Sequence, residues 1–127
     1  MTVRIVRLGT PRLQGEGLRI GTVRHPPRGV PKTQYAAQNW YDVWFPNLAP
    51  SAELLKLFRT PAGADSKVLS RRYRAEMAEP DQSRVLDLLA ALSRQTNFSV
   101  GCYCADDQRC HRSILLALLQ ERGAEVE

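Results

Sequence analysis

No stretch of this 127-residue chain is apolar for long enough to cross a bilayer: the longest aliphatic run, Ile114 to Leu119, falls far short of the about 20 residues a spanning helix needs. Met1 to Gly15 scatter Arg4, Arg7 and Arg12 among apolar residues, without the continuous apolar core of a secretory signal, so a cytoplasmic protein with no membrane partner is expected. Cysteine is scarce. Three thiols cannot all pair within one chain, and in a reducing cytosol the thiol is their default state. Lysine is scarcer still relative to arginine, which supplies fifteen of the eighteen basic residues. Its planar fork grips phosphate or carboxylate at two points where lysine offers one. Acid is missing from the start of the chain: Arg4, Arg7, Arg12, Arg19, Arg24, Arg28 and Lys32 face only Glu16 before residue 33. That imbalance underlies the net charge of +5 and suits either a polyanionic partner or a solvated arginine-rich face. There is no internal repeat, low-complexity tract or interdomain linker. Residues 1–127 therefore read as one domain, able to bury about two thirds of its unfolded surface without metal or disulfide staples.

Val3 to Leu8 and Leu18 to Val23 are short, β-branched and bounded by Gly9, Gly17 and a proline cluster, the pattern of two strands. In Arg24-His25-Pro26-Pro27-Arg28-Gly29-Val30-Pro31-Lys32, three prolines remove backbone donors and fix φ, which predicts an ordered loop. Tyr35, Trp40, Tyr41, Trp44 and Phe45 then gather five of the nine aromatics, either as core and lid packing or as a cleft wall. Ser51 caps a helix over Glu53 to Phe58 that Pro61 and Gly63 end. A second helix is predicted over Ser66 to Ala78. A third starts at Pro80, where the missing donor is harmless, and buries Val85, Leu88, Leu89 and Leu92. Phe98 to Cys104 reads as a buried strand, and Cys110 to Arg122 as an apolar helix closed by Gly123.

Strands separated by helices imply right-handed crossovers. The expected fold is a single three-layer α/β domain, with a mainly parallel sheet and helices on both faces. Ligands of such sheets collect at the carboxyl ends of the strands. The loop Gly9-Thr10-Pro11-Arg12, the proline loop and Ala105 to Arg109 would then share one edge.

All three cysteines lie in Phe98 to Arg112, F-S-V-G-C-Y-C-A-D-D-Q-R-C-H-R, beside a histidine and two arginines. On a strand, Cys102 points with Phe98 and Val100 and behaves as a small core hydrophobe. Cys104, at the strand end, can look into a cleft. Cys110, His111 and Arg112 fall in a first helical turn, where free backbone donors and the dipole favour an anion and lower a thiol's pKa. Packing competes, because Cys110 shares a helical face with Ile114 and Leu118. A cysteine-phosphatase loop is excluded: the spacing from Cys104 to Arg109 is one position short, and Asp106 with Asp107 puts negative charge where phosphate would sit. Either aspartate can act as a general acid or as a turn residue. Zinc is disfavoured, since neighbouring same-face strand positions stand roughly 6.5 Å apart, too far for two sulfurs on one ion.

Four ordered motifs, Arg24 to Lys32, Trp44-Phe45-Pro46-Asn47-Leu48-Ala49-Pro50-Ser51, Arg72-Tyr73-Arg74-Ala75-Glu76-Met77 and Cys110-His111-Arg112, make the chain resemble domain-of-unknown-function family 488 (DUF488). The likeness spans Arg4 to Leu119, is broadly to its YeaO-like members, and points to a branch that keeps a Cys-His-Arg triplet. It implies a compact bacterial cytoplasmic α/β domain with no established activity. It also draws attention to Arg28, Lys32 and Ser51, each of which has an ordinary bracing or capping use, and to Glu76, which helical spacing pairs with Arg72.

The resulting expectation is a basic cleft for a small anionic ligand, phosphorylated or nucleotide-like. Arg12, Arg28, Lys32, Arg109 and Arg112 would hold the anion. Cys110 or Cys104 would serve as a nucleophilic or redox thiol tuned by His111. No cofactor is implied. The alternatives are a nucleic-acid-binding module that uses the arginine-rich first quarter with Trp40 or Trp44 for stacking, and a zinc-binding protein.

Overall fold

A computed structural model describes residues 1–58, 66–104 and 111–127. Its elements, in chain order, are β1 (Val3–Arg7), β2 (Leu18–Gly21), β3 (Val43–Trp44), α1 (Ala52–Phe58), α2 (Ser66–Met77), α3 (Pro80–Leu92), β4 (Phe98–Cys102) and α4 (His111–Glu121). The strands form one sheet in the order β1-β4-β2-β3, and every pairing is parallel. The α/β domain with a parallel sheet read from the sequence is thus the fold observed. The last strand in sequence is central, and all its residues are buried.

The helices pack on one another and share a single core with Val3, Ile20, Phe98 and Val100 on one sheet face. Apolar residues follow the helical stripe: Leu86, Leu89 and Ala90 of α3 face inward. Leu88, expected in that stripe, is 65% exposed, because the stripe centres on positions 86, 89 and 90 and carries Leu88 round to the solvent side. Pro80 starts α3 with Asp81 in its first turn, as predicted. Ser51 Oγ accepts from Leu54 N–H at 3.2 Å, the capping contact expected for α1. Glu76 does not turn to Arg72; its two oxygens accept from Ser51 N–H (2.8 Å) and Oγ (2.5 Å), which clamps α2 against the start of α1. The helix stop at Pro61 and Gly63 lies outside the described residues.

The opposite face, where the sequence predicted helices too, is covered by connecting segments instead, because residues 8–17 and 22–42 form no α-helix. Residues 8–17 carry the chain from β1 across β4 to β2 with no helix, although parallel neighbours usually need a crossover of about a dozen residues built around one. A bare loop laid on a sheet must still pair its backbone groups. Here Arg19 and Glu16 do that work. Arg19, on β2, points to this face and donates Nε and Nη2 to the Glu16 carboxylate at 2.7 and 2.9 Å, and Nη1 to the carbonyls of Thr10 and Asn39, both at 2.8 Å. Glu16 also accepts from Ser99 Oγ of β4 (2.7 Å) and from Leu13 N–H (3.2 Å). Both charged side chains are buried. Burial alone would raise the Glu16 pKa, but the hydrogen bonds from Arg19, Ser99 and Leu13 outweigh it and bring it down to about 2.

Gly17 closes the loop: its φ is +80°, and a Cβ there would lie 1.9 Å from the Asn97 carbonyl oxygen. Tyr41 packs its ring against Gly21 and belongs to a second apolar cluster with Leu8, Val23 and Cys102. The sheet edges end differently. Val3 pairs with the C-terminal segment through Val126, and Arg4 meets Glu127, which covers the β1 edge. β3, which the aromatic run concealed, is an exposed two-residue edge strand.

Arg19→Met leaves the Glu16 carboxylate buried without its main partner and is expected to cost about 3–5 kcal/mol in urea unfolding. Replacing both residues by apolar ones should cost less; a loss below about 1 kcal/mol for the single variant would show the pair to be dispensable. Because the folded carboxyl titrates below its unfolded value of 4.5, its contribution is full above pH 4.5 and disappears as pH falls toward about 2. Glu16→Gln should remove that part of the acid limb.

Candidate anion-binding cleft

The carboxyl ends of β1, β2 and β4 open into a cleft of about 920 Å³. β1 contributes Arg7, its last residue, followed by Gly9 and Thr10. β2 is followed by Val23 and the proline loop, of which Arg24 to Arg28 line the space. β4 delivers Cys102, Tyr103 and Cys104, and α4 brings His111 to the wall. The edge predicted from topology is therefore formed, and the first two loops share it with the end of β4. Tyr103 Oη donates to the His25 carbonyl at 2.8 Å and ties the proline loop to the end of β4. Arg24 donates to the carbonyls of Ala49 and Pro50, fixing the same loop to the entry of α1.

The residues singled out from sequence divide sharply. Cys104 is exposed on the cleft wall and is not disulfide-bonded. Arg28 is exposed on the opposite loop. Lys32 begins a 3-10 turn, exposed, and is not among the cleft's lining residues. Arg12 is turned away: it makes a two-point contact with Asp42 at 2.8 and 2.9 Å, and that carboxyl, despite burial, is held below its usual range by Arg12 and by Arg19 N–H. Arg112 is buried and donates Nη1 to the Val6 carbonyl at 3.0 Å, bracing α4 on β1. Arg109 and Cys110 lie outside the described residues, as do Asp106 and Asp107. Cys102 is buried as expected, but it is disulfide-bonded, where a thiol was predicted for all three cysteines. The readings of reactivity from a reducing environment do not apply to it.

Arg7 and Trp40 line the cleft as well, and only the first escaped sequence analysis. Arg7 was counted only toward charge, yet the last residue of a strand whose carboxyl end faces the cleft is a position that topology could have flagged. Trp40 stood between core and cleft, and it lines the cleft, with its ring edge-on to Tyr103 at 5.9 Å between centroids. Trp44, the other stacking candidate, instead donates Nε1 to the Val23 carbonyl at 2.8 Å on the sheet edge. Among the described residues no group of three or more His, Cys, Asp or Glu side chains is arranged to hold a metal ion, and no helix is long and apolar enough to cross a membrane.

A family model described as "Active DUF488-N3 subclade" matches residues 3–123. The chain belongs to the DUF488 family. It is also 34% identical over 82 residues to "Uncharacterized protein YeaO" of Escherichia coli (strain K12), a match that covers 65% of this chain and 67% of that protein. No solved structure matches it. The likeness seen in the four sequence motifs is thereby shown at the level of the family and its YeaO-like members.

In this DUF488 protein the imidazole of His111, on the cleft wall, is strongly perturbed. Its Nε2 lies 2.8 Å from the Thr22 carbonyl, which can only accept, so Nε2 carries the proton. Thr22 Oγ1, 3.2 Å from the same nitrogen, donates to the Gly101 carbonyl at 3.0 Å. The imidazole therefore joins the start of α4 to β2 and, through Thr22, to β4. Burial pushes its pKa down to about 4; the Thr22 carbonyl works against that shift and the Arg112 charge adds to it. At neutral pH the ring is uncharged. An unfolded imidazole protonates near 6.5, so as pH falls from about 6.5 to about 4 the unfolded chain takes up the proton first and stability drops, by roughly a few kcal/mol in all. Thermal melts across that range should show a shallower slope for His111→Gln, which keeps a donor for Thr22 but cannot titrate. Equal slopes in the two proteins would remove His111 as the source.

Proposed function

We propose that the cleft binds a small phosphorylated anion and presents a thiol to it. The observation that carries this reading is the charge of the lining: Arg7, Arg24 and Arg28 contribute guanidinium groups, and none of the described lining residues is a carboxylate. Low-dielectric walls strengthen such a field and concentrate anions. Arg7 and Arg28 are the gripping residues in this reading, because Arg24 is already engaged with two carbonyls. Cys104 is the thiol we assign to nucleophilic or redox chemistry, and the description of the matching subclade as active agrees with a reacting group here. His111 acts as a neutral positioning residue.

A nucleic-acid interface is less well supported. Of the seven basic residues in the first quarter, Arg4, Arg12 and Arg19 meet carboxylates and Arg24 meets backbone carbonyls, so a polyanion would find only Arg7, Arg28 and Lys32.

Calorimetric titration with ribose 5-phosphate tests the reading. Arg28→Ala should weaken binding by about tenfold or more, the usual worth of a charge-assisted hydrogen bond, whereas Lys32→Ala should leave it unchanged. Affinity should fall only mildly as salt rises, and bound ligand should slow alkylation of Cys104. Absence of millimolar binding together with unprotected Cys104 would refute the proposal.

A further inference from the structure

The cleft is far larger than a phosphate, and the remainder of its lining restricts what the rest of the ligand can be. This inference rests on the phosphorylated-anion reading above. No Asp, Glu, Asn or Gln side chain is among the described lining residues, so sugar hydroxyls would find few side-chain acceptors. Thr10, His25 and His111 are the polar side chains nearest that need, and His111 is committed to Thr22. What the lining offers is flat and apolar: Trp40, Tyr103, Pro26, Pro27, Pro50 and Leu55.

Trp40 is held as a platform. Its six-membered ring backs onto Gly9, where the φ of +89° and the closeness of the ring leave no room for a side chain: a Cβ would stand 2.9 Å from Cζ3. Its Nε1 donates to Gln38 Oε1 at 3.3 Å, and Tyr103 meets it edge-on. Backbone, hydrogen bond and edge contact thus fix the indole from several sides while it remains part of the cleft wall. A rigid aromatic plane loses little entropy on stacking a second ring. Arg7 and Gly9 follow one another along the same chain turn, so the cation and the support of the platform are placed by one segment.

We infer that the ligand is a nucleoside monophosphate, its phosphate on Arg7 and Arg28 and its base stacked on Trp40. The test compares AMP with ribose 5-phosphate on the full chain by calorimetry, and follows Trp40 fluorescence in a Trp44→Phe background. AMP should bind about tenfold or more tightly than ribose 5-phosphate and should quench Trp40. Trp40→Leu should abolish that advantage, so that AMP and ribose 5-phosphate bind alike; if that variant does not fold, Trp40→Phe should lower the advantage in part. Equal affinity for the two ligands with no quenching would overturn the inference and leave the anion reading standing. No binding of either would overturn both. A single-stranded oligonucleotide that binds far more tightly than AMP, with a steep salt dependence, would replace the mononucleotide by a polynucleotide.

Discussion

The buried contact between Arg19 and Glu16 is the constraint on which this fold depends. Parallel β1 and β2 are separated by β4, and the segment that joins them has no helix to satisfy its own peptide groups. One guanidinium and one carboxylate serve instead, by tying the Thr10 and Asn39 carbonyls, the Leu13 amide and the Ser99 hydroxyl into a single network. Taking two charges out of water is costly, and a buried pair is tolerated only when its remaining donors and acceptors are met as fully as they are here. The network also explains why the chain can leave one sheet face to loops while the helices share the other. Those loops bring Trp40 and Gly9 together above the carboxyl end of the sheet.

The same contact changes the meaning of the arginine excess. Read as composition, an arginine-rich first quarter suggests a surface made for a polyanion. In the folded chain much of it is internal bracing: Arg19 under the crossover, Arg12 on Asp42, Arg24 on the entry to α1, and Arg4 on the C-terminal edge. Of the charge left over, Arg7 at the end of β1 and Arg28 in the loop after β2 reach the cleft, and Lys32 does not. Such division is what a fork-shaped cation permits, because one guanidinium can satisfy several carbonyls and a carboxylate together.

Local signals were readable wherever the answer was local. Short β-branched runs gave β1 and β2, a buried run gave β4, Pro80 and Ser51 marked helix starts, and the parallel-sheet rule pointed to the edge where the cleft lies before any side chain was placed. The cleft loops after β1 and β2 were legible for that reason. Failures came from partners distant in sequence. Nothing near Arg12 announces Asp42, and nothing near Ser51 announces that Glu76 will take its hydroxyl and leave Arg72 aside. Leu88 failed for a narrower reason, since a helix rich in leucine has more than one apolar stripe, and only packing chooses between them. β3 was hidden because a two-residue edge strand has too few positions to show alternation.

His111 joins these two themes. As a residue beside a cysteine and an arginine it looks like a proton carrier, but a general base needs a lone pair near the reacting group and a pKa near the working pH. The nitrogen located by its contacts is a donor locked to a carbonyl, and burial has moved its titration well into acid. Its place at the first turn of α4 is still consequential: with Arg112 reaching Val6 from the next position, it fastens that turn to β2 and β1 on either side of the central strand. The start of α4 is thus held by these two contacts, while the positive charge of the cleft comes from the guanidinium groups of Arg7, Arg24 and Arg28. Shape and charge are supplied by different residues, and that separation lets the imidazole stay neutral beside a cleft lined by guanidinium groups.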